Sequence, residues 1–350
     1  MFPTFNTAKV AAEMKYFEIL PTHDHRFDPV KFSLFFQRLP DVKDYWYRFV
    51  LMIDNGFGTM YVGCPPDEGA VVSFLSALKT ACPEVEAEPV DGIPTADWPS
   101  EWAAELCPAS DILPVRIAPE PVFETAARAL GLGHINGARG VLDVYFDPLN
   151  NKKEQSLHNK ATRKVGELLG IQLNKGSLLE RLERELGPQS LSFGGFSLAG
   201  KKPSRQALPR QPQAGPEQKD LAYAIKERFA QKDRLFRTLI RCSIHSKNPQ
   251  RTKSMLATAA NVISRSFSWH NLIVPRTKHG AAKRLRSGVL SFWEGNVLTA
   301  KELAQLVVIP SADSPSGRHI KMTAARTAAP PPEMLDFGMP PERMVGPGEE

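Results

Sequence analysis

Several common features are missing from this sequence, and each absence excludes a class of protein. The chain has four cysteines in 350 residues, spaced too far apart for zinc ligands or a disulfide framework. No apolar run approaches the roughly twenty residues that a membrane helix needs, and the N-terminus lacks the basic and then apolar pattern of a signal peptide. We therefore expect free thiols, a cytoplasmic location, no membrane span and no metal site.

A recognisable catalytic constellation is also missing. Residues 195–202, GFSLAGKK, nearly match the phosphate-binding loop GxxxxGK[ST], but Lys202 stands where magnesium needs a hydroxyl, and Pro203 follows. His23, Asp24, His25 and Asp28 could suggest a metal cluster, although an Asp-capped turn before a helix explains them better. We expect no cofactor and no enzymatic activity from this chain.

Histidines elsewhere add nothing to this picture. His245, His270 and His279 have no serine or cysteine nearby in the pattern of a nucleophile and its base, although a triad needs only to meet in space.

Charge is distributed very unevenly along the chain. Residues 1–111 contain 8 Lys and Arg against 17 Asp and Glu, a net −9, whereas residues 201–290 contain 20 against 4, a net +16. A basic excess sustained over this length favours a polyanionic partner such as nucleic acid, with the acidic part left for protein partners. The alternative is an ordinary solvated surface without a partner.

The first part of the chain has the element order β-α-β-β-α-β. Asp28-Pro29 and Asp67 begin helices, and Asn55-Gly56 joins two β-prone runs as a hairpin. That order is typical of the ferredoxin-like fold. The predicted strands are residues 16–20, 47–53, 59–62 and 85–90.

A second set of elements repeats this order with an interruption. Thr299 is predicted to cap a last helix that ends before Pro310. The predicted strands are residues 112–117, 140–146, 234–245 and 267–274, with helices at 121–130 and after Asn248-Pro249. Between the second and third strands lie predicted helices at 155–169, 178–186 and 217–230 and a Gly- and Pro-rich loop at 187–216.

We therefore predict an α+β fold of two tandem ferredoxin-like modules, the second of which carries a helical insertion. The predicted division is an acidic module at residues 1–95, a connector at 96–111 anchored by Trp98 and Trp102, a second module at 112–310 with its insertion at 150–233, and a Pro-rich linker at 311–350.

The basic β-α-β unit at residues 234–275 is the best candidate for a binding site. Alternation on its first strand would place Phe236 and Ile240 on one face and Arg237 and Arg241 on the other. The nearby Phe267 and Trp269 could serve as stacking residues, as in single-strand binders, but we interpret them as core residues. The predicted phosphate-binding residues are Arg237, Arg241, Lys247, Arg251, Lys253, Lys278, Lys283, Arg284 and Arg286, which would bind DNA without reading its sequence.

Several segments resemble the region that precedes the motor domain in conjugative type IV secretion ATPases of the FtsK/HerA-like group. The likeness spans most of residues 16–310 and is carried by four segments: YRFVLMIDNGFGTMYVGCPPD, RGVLDVYFDPLNNK, LFRTLIRCSIHS and VLTAKELAQLVVIP. None of these segments is catalytic, and the family's nucleotide site would follow residue 350.

The resemblance implies the non-catalytic N-terminal region of a DNA-transfer ATPase. Its role would be assembly, docking on a secretion channel or guidance of DNA. The implied partners are DNA, the conjugation machinery and further copies of the chain, and the implied location is cytoplasmic or peripheral at a membrane secretion channel. The alternative is a freestanding nucleic-acid-binding or scaffold protein.

Overall fold

A computed structural model describes residues 14–42, 45–134, 137–170, 215–230, 233–287 and 296–323. Within these residues the protein is α+β, with nine strands in one sheet, eight α-helices and a short 3-10 turn. All strand pairings between the named strands are antiparallel. No helix in this part of the chain combines the length and apolarity that crossing a membrane would require.

The first half follows the predicted order closely because its start signals are local. Asp28 accepts hydrogen bonds from the first-turn amides of the first helix, and Asp67 does the same for the second. Asn55 and Gly56 form the predicted hairpin turn with φ values of 50° and 84°. The elements are β1 (Lys15–Pro21), α1 (Pro29–Arg38), β2 (Tyr47–Asp54), β3 (Phe57–Cys64), α2 (Glu68–Ala81) and β4 (Val85–Val90).

The second half contains a pair of inserted helices and three additional elements at its C-terminal end. Asn248 caps the longest helix, which has proline at its first position, and Thr299 forms the predicted capping box with Glu302. The elements are β5 (Ala103–Pro108), α3 (Val122–Ala129), β6 (Arg139–Pro148), α4 (Asn151–Leu168), α5 (Pro216–Ala230), β7 (Leu235–His245), α6 (Pro249–Phe267), β8 (Ile273–Lys278), α7 (His279–Ser287), β9 (Asn296–Thr299) and α8 (Ala300–Leu303).

The sheet order is β4-β1-β3-β2-β6-β7-β5-β8, and β9 pairs with the first residues of β7. Each half therefore places its four main strands in the same spatial order: fourth, first, third, second. The halves meet where β2 pairs with β6, from Tyr47 opposite Phe146 to Asp54 opposite Arg139. As a result, β4 and β8 form the two outer edges of the sheet.

The two faces of the sheet are covered differently. Helices α1, α2, α3 and α6 pack on one face around a single large apolar core, which includes Phe36, Phe74, Phe123 and Ile263. On the other face, α7 and buried Trp98 pack against the middle strands in a smaller cluster. This second face also carries the charged residues on which the site depends.

Three sequence predictions were wrong in this half. Residues 112–117 are not a strand, and the first strand is β5, inside the predicted connector at residues 96–111. The strand predicted at 267–274 begins instead at Ile273, because Phe267 is the last residue of α6. Pro275 lies within β8 rather than ending it, which an edge strand allows because proline has no N–H to donate.

The basic segment after Pro275 forms the end of β8 and helix α7. Its charges predict a surface position, and Lys283 is indeed exposed, while the opposite side of α7 buries Ala281, Ala282 and Leu285.

The last error is in the segment predicted to be a Pro-rich linker. Residues 311–323 belong to the fold, because Ile320 is buried beside Gly58 and Ser316 bonds to Glu124. Residues 324–350, the helix predicted at 178–186 and nearly all of the loop predicted at 187–216 lie outside the described residues.

Candidate nucleic-acid interface

The two arginines on β7 are bound within the fold. Arg241 is 0% exposed, and its Nε donates to Glu105 at 3.1 Å. Arg237 is half-buried, donates to Asp147 at 2.9 Å and lies over the ring of Trp46. Arg241 could reach a phosphate only if the sheet opened, so its prediction as a phosphate ligand was wrong.

Arg241 is part of a row of alternating charges across the sheet. On neighbouring strands, Asp143 lies opposite Arg241, Arg241 opposite Glu105, and Glu105 opposite Arg276. Arg48 on β2 extends the row by two bonds to Asp143, at 2.7 and 3.1 Å. Opposite charges at facing positions stabilise neighbouring strands, and a buried charge requires such a partner.

Helix α7 is held against the same row of charges. Arg284 donates to Glu105 at 2.9 Å, and Arg286 donates to the carbonyl oxygens of Trp98 and Ser100 at 3.2 and 2.8 Å. These two predicted phosphate ligands therefore have structural partners. Their hydrogen bonds fix α7 on the sheet.

Four of the predicted cations remain exposed, and they have no ion-pair partner among the residues that the structure describes. Lys247, Arg251 and Lys253 surround the N-terminus of α6, and Lys283 lies on α7. We call these four residues the basic surface. The ninth predicted residue, Lys278, is the last residue of β8, and only its place in the strand is described.

Trp102 and Ser100, which lie just before β5, link Lys253 at the beginning of α6 to Arg286 on α7. The Lys253 ammonium lies 4.1 Å from the ring centre of Trp102, close enough for a cation–π interaction. Trp102 is half-buried, and its amide and carbonyl both bond to Ser100, whose own carbonyl accepts from Arg286. From the sequence, Trp102 in an acidic segment predicted only a packing role and not this contact with Lys253.

The local electrostatics at the start of α6 are unusual. The first turn contains no acidic residue, and three cations lie at the positive end of the helix macrodipole. Asn248 already accepts from the amides of Gln250 and Arg251, so these N–H groups are satisfied within the helix. Any anion bound here would therefore be held mainly by side chains.

Trp269 was predicted to lie in the core and is instead 58% exposed, whereas Phe267 is fully buried as predicted. Trp269 stands at the wall of a cavity of about 670 Å³ between α5, α8 and the residues before α3. The charged residues of this cavity are balanced, so it offers no excess of positive charge: Arg116, Arg228 and Lys301 against Glu227, Asp233 and Glu302.

Two of the four residues suggested as a metal cluster have structural roles. Asp28 caps α1, and buried His25 shares a hydrogen bond of 3.0 Å with the Ile309 carbonyl. Burial lowers the pKa of His25, which favours the neutral ring in this position. Across the described residues, no three His, Cys, Asp or Glu side chains are placed to hold a metal ion. The phosphate-loop-like segment at residues 195–202 lies outside them.

No family model matches this chain, and no curated protein matches it either.

Proposed function

We propose that the basic surface binds the phosphates of a nucleic acid without reading its sequence. The observation that carries this proposal is the placement of Lys247, Arg251 and Lys253 at the positive end of α6 with no acidic residue in its first turn. Each cation there opposes the macrodipole, at a cost of roughly 0.3–1 kcal/mol in helix stability. A bound phosphate would remove that cost and add a charge-assisted hydrogen bond.

The kind of recognition follows from the kind of residue. The exposed groups are flexible ammonium and guanidinium cations, which contact phosphate oxygens in any sequence. Duplex and single strand both present such phosphates, and binding should weaken as salt rises because bound phosphates release counterions. The acidic residues 1–111 would orient the protein by keeping nucleic acid at the basic residues 201–290.

The test compares two triple variants that change the charge equally. The first replaces Lys247, Arg251 and Lys253 with Ala. The control replaces exposed cations of α4, Lys152, Lys160 and Arg163, with Ala. We expect the first variant to bind two unrelated oligonucleotides equally weakly and to lose up to about 2.7 from the slope of log K against log salt, while the control retains the slope. Equal loss in both variants would mean that only net charge matters and would refute this site.

We further propose that each half of the sheet is a ferredoxin-like module and that the chain corresponds to the pre-motor region of a conjugative type IV secretion ATPase. The repeated strand order and the insertion between β6 and β7 support this proposal. Its work would then be assembly, channel docking at the cytoplasmic side of a membrane, or DNA guidance. Sequencing the gene beyond codon 350 tests this correspondence. We expect an open reading frame that continues and encodes GxxxxGK[ST]. A gene without that motif would favour a freestanding binding protein.

On this proposal the chain has no catalytic activity of its own. Residues 195–202 lack the hydroxyl residue that would complete a magnesium site. Purified protein should therefore hydrolyse no ATP with magnesium present. Turnover that disappears in Lys201→Ala would contradict this expectation.

A further inference from the structure

Two large apolar side chains are exposed at the cavity between α5, α8 and the residues before α3. Trp269 is 58% exposed and Ile117 is 55% exposed, and both line this cavity of about 670 Å³. Single exposed apolar residues are ordinary on protein surfaces, but apolar side chains grouped at one concave site commonly mark a binding surface. The volume also lies within the range of about 300–1,000 Å³ that is usual for ligand sites.

The main chain that carries these two side chains is fixed by hydrogen bonds within the fold. Asn271 is 0% exposed, and its side-chain carbonyl accepts from the Ser110 amide at 3.1 Å. The main-chain amide of Asn271 donates to the Pro114 carbonyl at 3.1 Å, and that of Arg116 donates to the Phe267 carbonyl at 3.0 Å. The exposure of the two apolar side chains therefore does not come from a loose loop.

Four of the six charged residues that line the cavity already have partners. Arg228 donates to Glu302 at 2.8 and 3.1 Å, and both side chains are buried. The Lys301 ammonium lies 3.8 Å from the Asp233 carboxylate. Because these charges neutralise each other in pairs, they leave little for a charged ligand to bind.

The other two charged residues of the cavity, Arg116 and Glu227, are both exposed. Neither side chain has an ion-pair or hydrogen-bond partner among the residues that the structure describes. Arg116 lies beside Ile117 on the fixed wall, whereas Glu227 lies on α5. The cavity therefore presents one free cation and one free anion on separate walls, together with exposed apolar surface.

We propose that this cavity binds a short peptide segment of a protein partner, in which an apolar side chain lies between an acidic and a basic one. The apolar side chain would cover Trp269 and Ile117, since a tryptophan at a concave site is a common centre of binding energy. The acidic side chain would pair with Arg116, and the basic one with Glu227. A free amino acid suits the cavity less well, because it carries both charges on a single carbon.

Nucleic acid also suits this cavity less well than a peptide does. Glu227 and Asp233 would repel a phosphate that approached Arg116, and Ile117 offers no planar ring on which a base could stack. The proposed peptide site shares no residue with the basic surface and does not depend on the binding of nucleic acid.

Capped tripeptides with a fluorine-labelled phenylalanine test the site by fluorine NMR on the full chain. The unmodified protein should bind Glu-Phe-Lys or Lys-Phe-Glu more tightly than Lys-Phe-Lys and Glu-Phe-Glu. Trp269→Ala should weaken this binding roughly 10-fold or more. The control is Leu272→Ala, which changes an exposed residue of the same loop that does not line the cavity, and it should leave the binding unchanged.

Charge reversal provides a test that a general loss of structure cannot imitate. Arg116→Glu leaves two free anions in the cavity and should bind Lys-Phe-Lys most tightly, whereas Glu227→Lys leaves two free cations and should bind Glu-Phe-Glu most tightly. Each reversal should weaken the binding of the peptides with one acidic and one basic residue roughly 3- to 10-fold. The proposal is refuted if no peptide binds at up to about 10 mM, if reversal leaves the order of preference unchanged, or if oligothymidylate displaces the peptide.

Discussion

Removing the Asp143 carboxylate should destabilise the protein severely, because it is the partner of a fully buried arginine. Arg48 is 0% exposed and makes two bonds to Asp143, at 2.7 and 3.1 Å. Its remaining partners are neutral: the Tyr16 hydroxyl, the Thr95 hydroxyl and the Leu285 carbonyl. Asp143→Ala would therefore leave a guanidinium charge in the sheet without a counter-charge bonded to it.

The expected loss is about 3–5 kcal/mol, the usual cost of breaking one side of a buried ion pair. Folded proteins have a total stability of about 5–15 kcal/mol, so this single change would remove a large share of it. Replacing both partners, Arg48→Met with Asp143→Leu, should recover most of the loss because no unpaired charge remains.

The same two strands provide a matched control. Asp54 and Arg139 also link β2 to β6, at 3.3 Å, but their side chains are 68% and 37% exposed. Asp54→Ala should cost only about 0–1 kcal/mol. In urea unfolding, with a slope of roughly 3 kcal/mol per molar, Asp143→Ala should lower the midpoint by more than about 1 M and the control by less than about 0.3 M. If the two single variants shift equally, the buried pair does not carry the stability assigned to it.

Three further predictions concern other parts of the molecule. Burial raises the pKa of Asp147 from 3.8 to about 6 despite the nearby Arg237, so the folded state holds the proton on Asp147 more tightly than the unfolded state does. The contribution of this proton to the free energy of unfolding is fully present below the unfolded pKa and is lost as pH rises through about 6. Asp147→Asn should reduce the fall in the free energy of unfolding between about pH 4 and pH 6, and an unchanged pH profile would contradict this. Gly56→Ala should cost roughly 1–3 kcal/mol more than Gly92→Ala: both glycines have positive φ, but only at Gly56 would the added Cβ be crowded, within 3.2 Å of the His134 backbone. The four buried thiols, those of Cys64, Cys82, Cys107 and Cys242, should resist maleimide in the folded protein and react in denaturant. Burial raises the pKa of the Cys64, Cys82 and Cys242 thiols to about 12, which keeps them in the unreactive protonated form, and mass spectrometry counts the labels on each sample.

Helix starts and hairpins could be predicted from the sequence because their determinants lie within a few residues. Asp28, Asp67, Asn248 and Thr299 each begin a helix where the sequence indicated. Asn55 marks the hairpin for the same reason, since a residue that tolerates positive φ must occupy that turn. These signals require no knowledge of what lies across the sheet.

Strands whose position depends on distant partners were the ones missed. β5 reads AAELCP, with no β-branched residue and a central glutamate, so neither propensity nor alternation predicts a buried strand. Its place between β7 and β8 stabilises it, and Glu105 is buried there because Arg241, 136 residues away in sequence, donates to it. Pro275 likewise indicates the end of a strand unless its position at the sheet edge is known.

The site shows the same limit in its charges. The net charges of +16 in residues 201–290 and −9 in residues 1–111 partly neutralise each other within the fold. Glu105 of the acidic segment bonds to Arg241 and Arg284 of the basic segment. Nine predicted phosphate contacts would give a salt slope of about −8 on duplex DNA, whereas the four residues of the basic surface give about −3.6, and about −4.5 with Lys278. If the protein stays folded, a slope near −8 would show that the paired arginines leave their partners to bind DNA. A slope near −4 would show that they keep their partners within the fold.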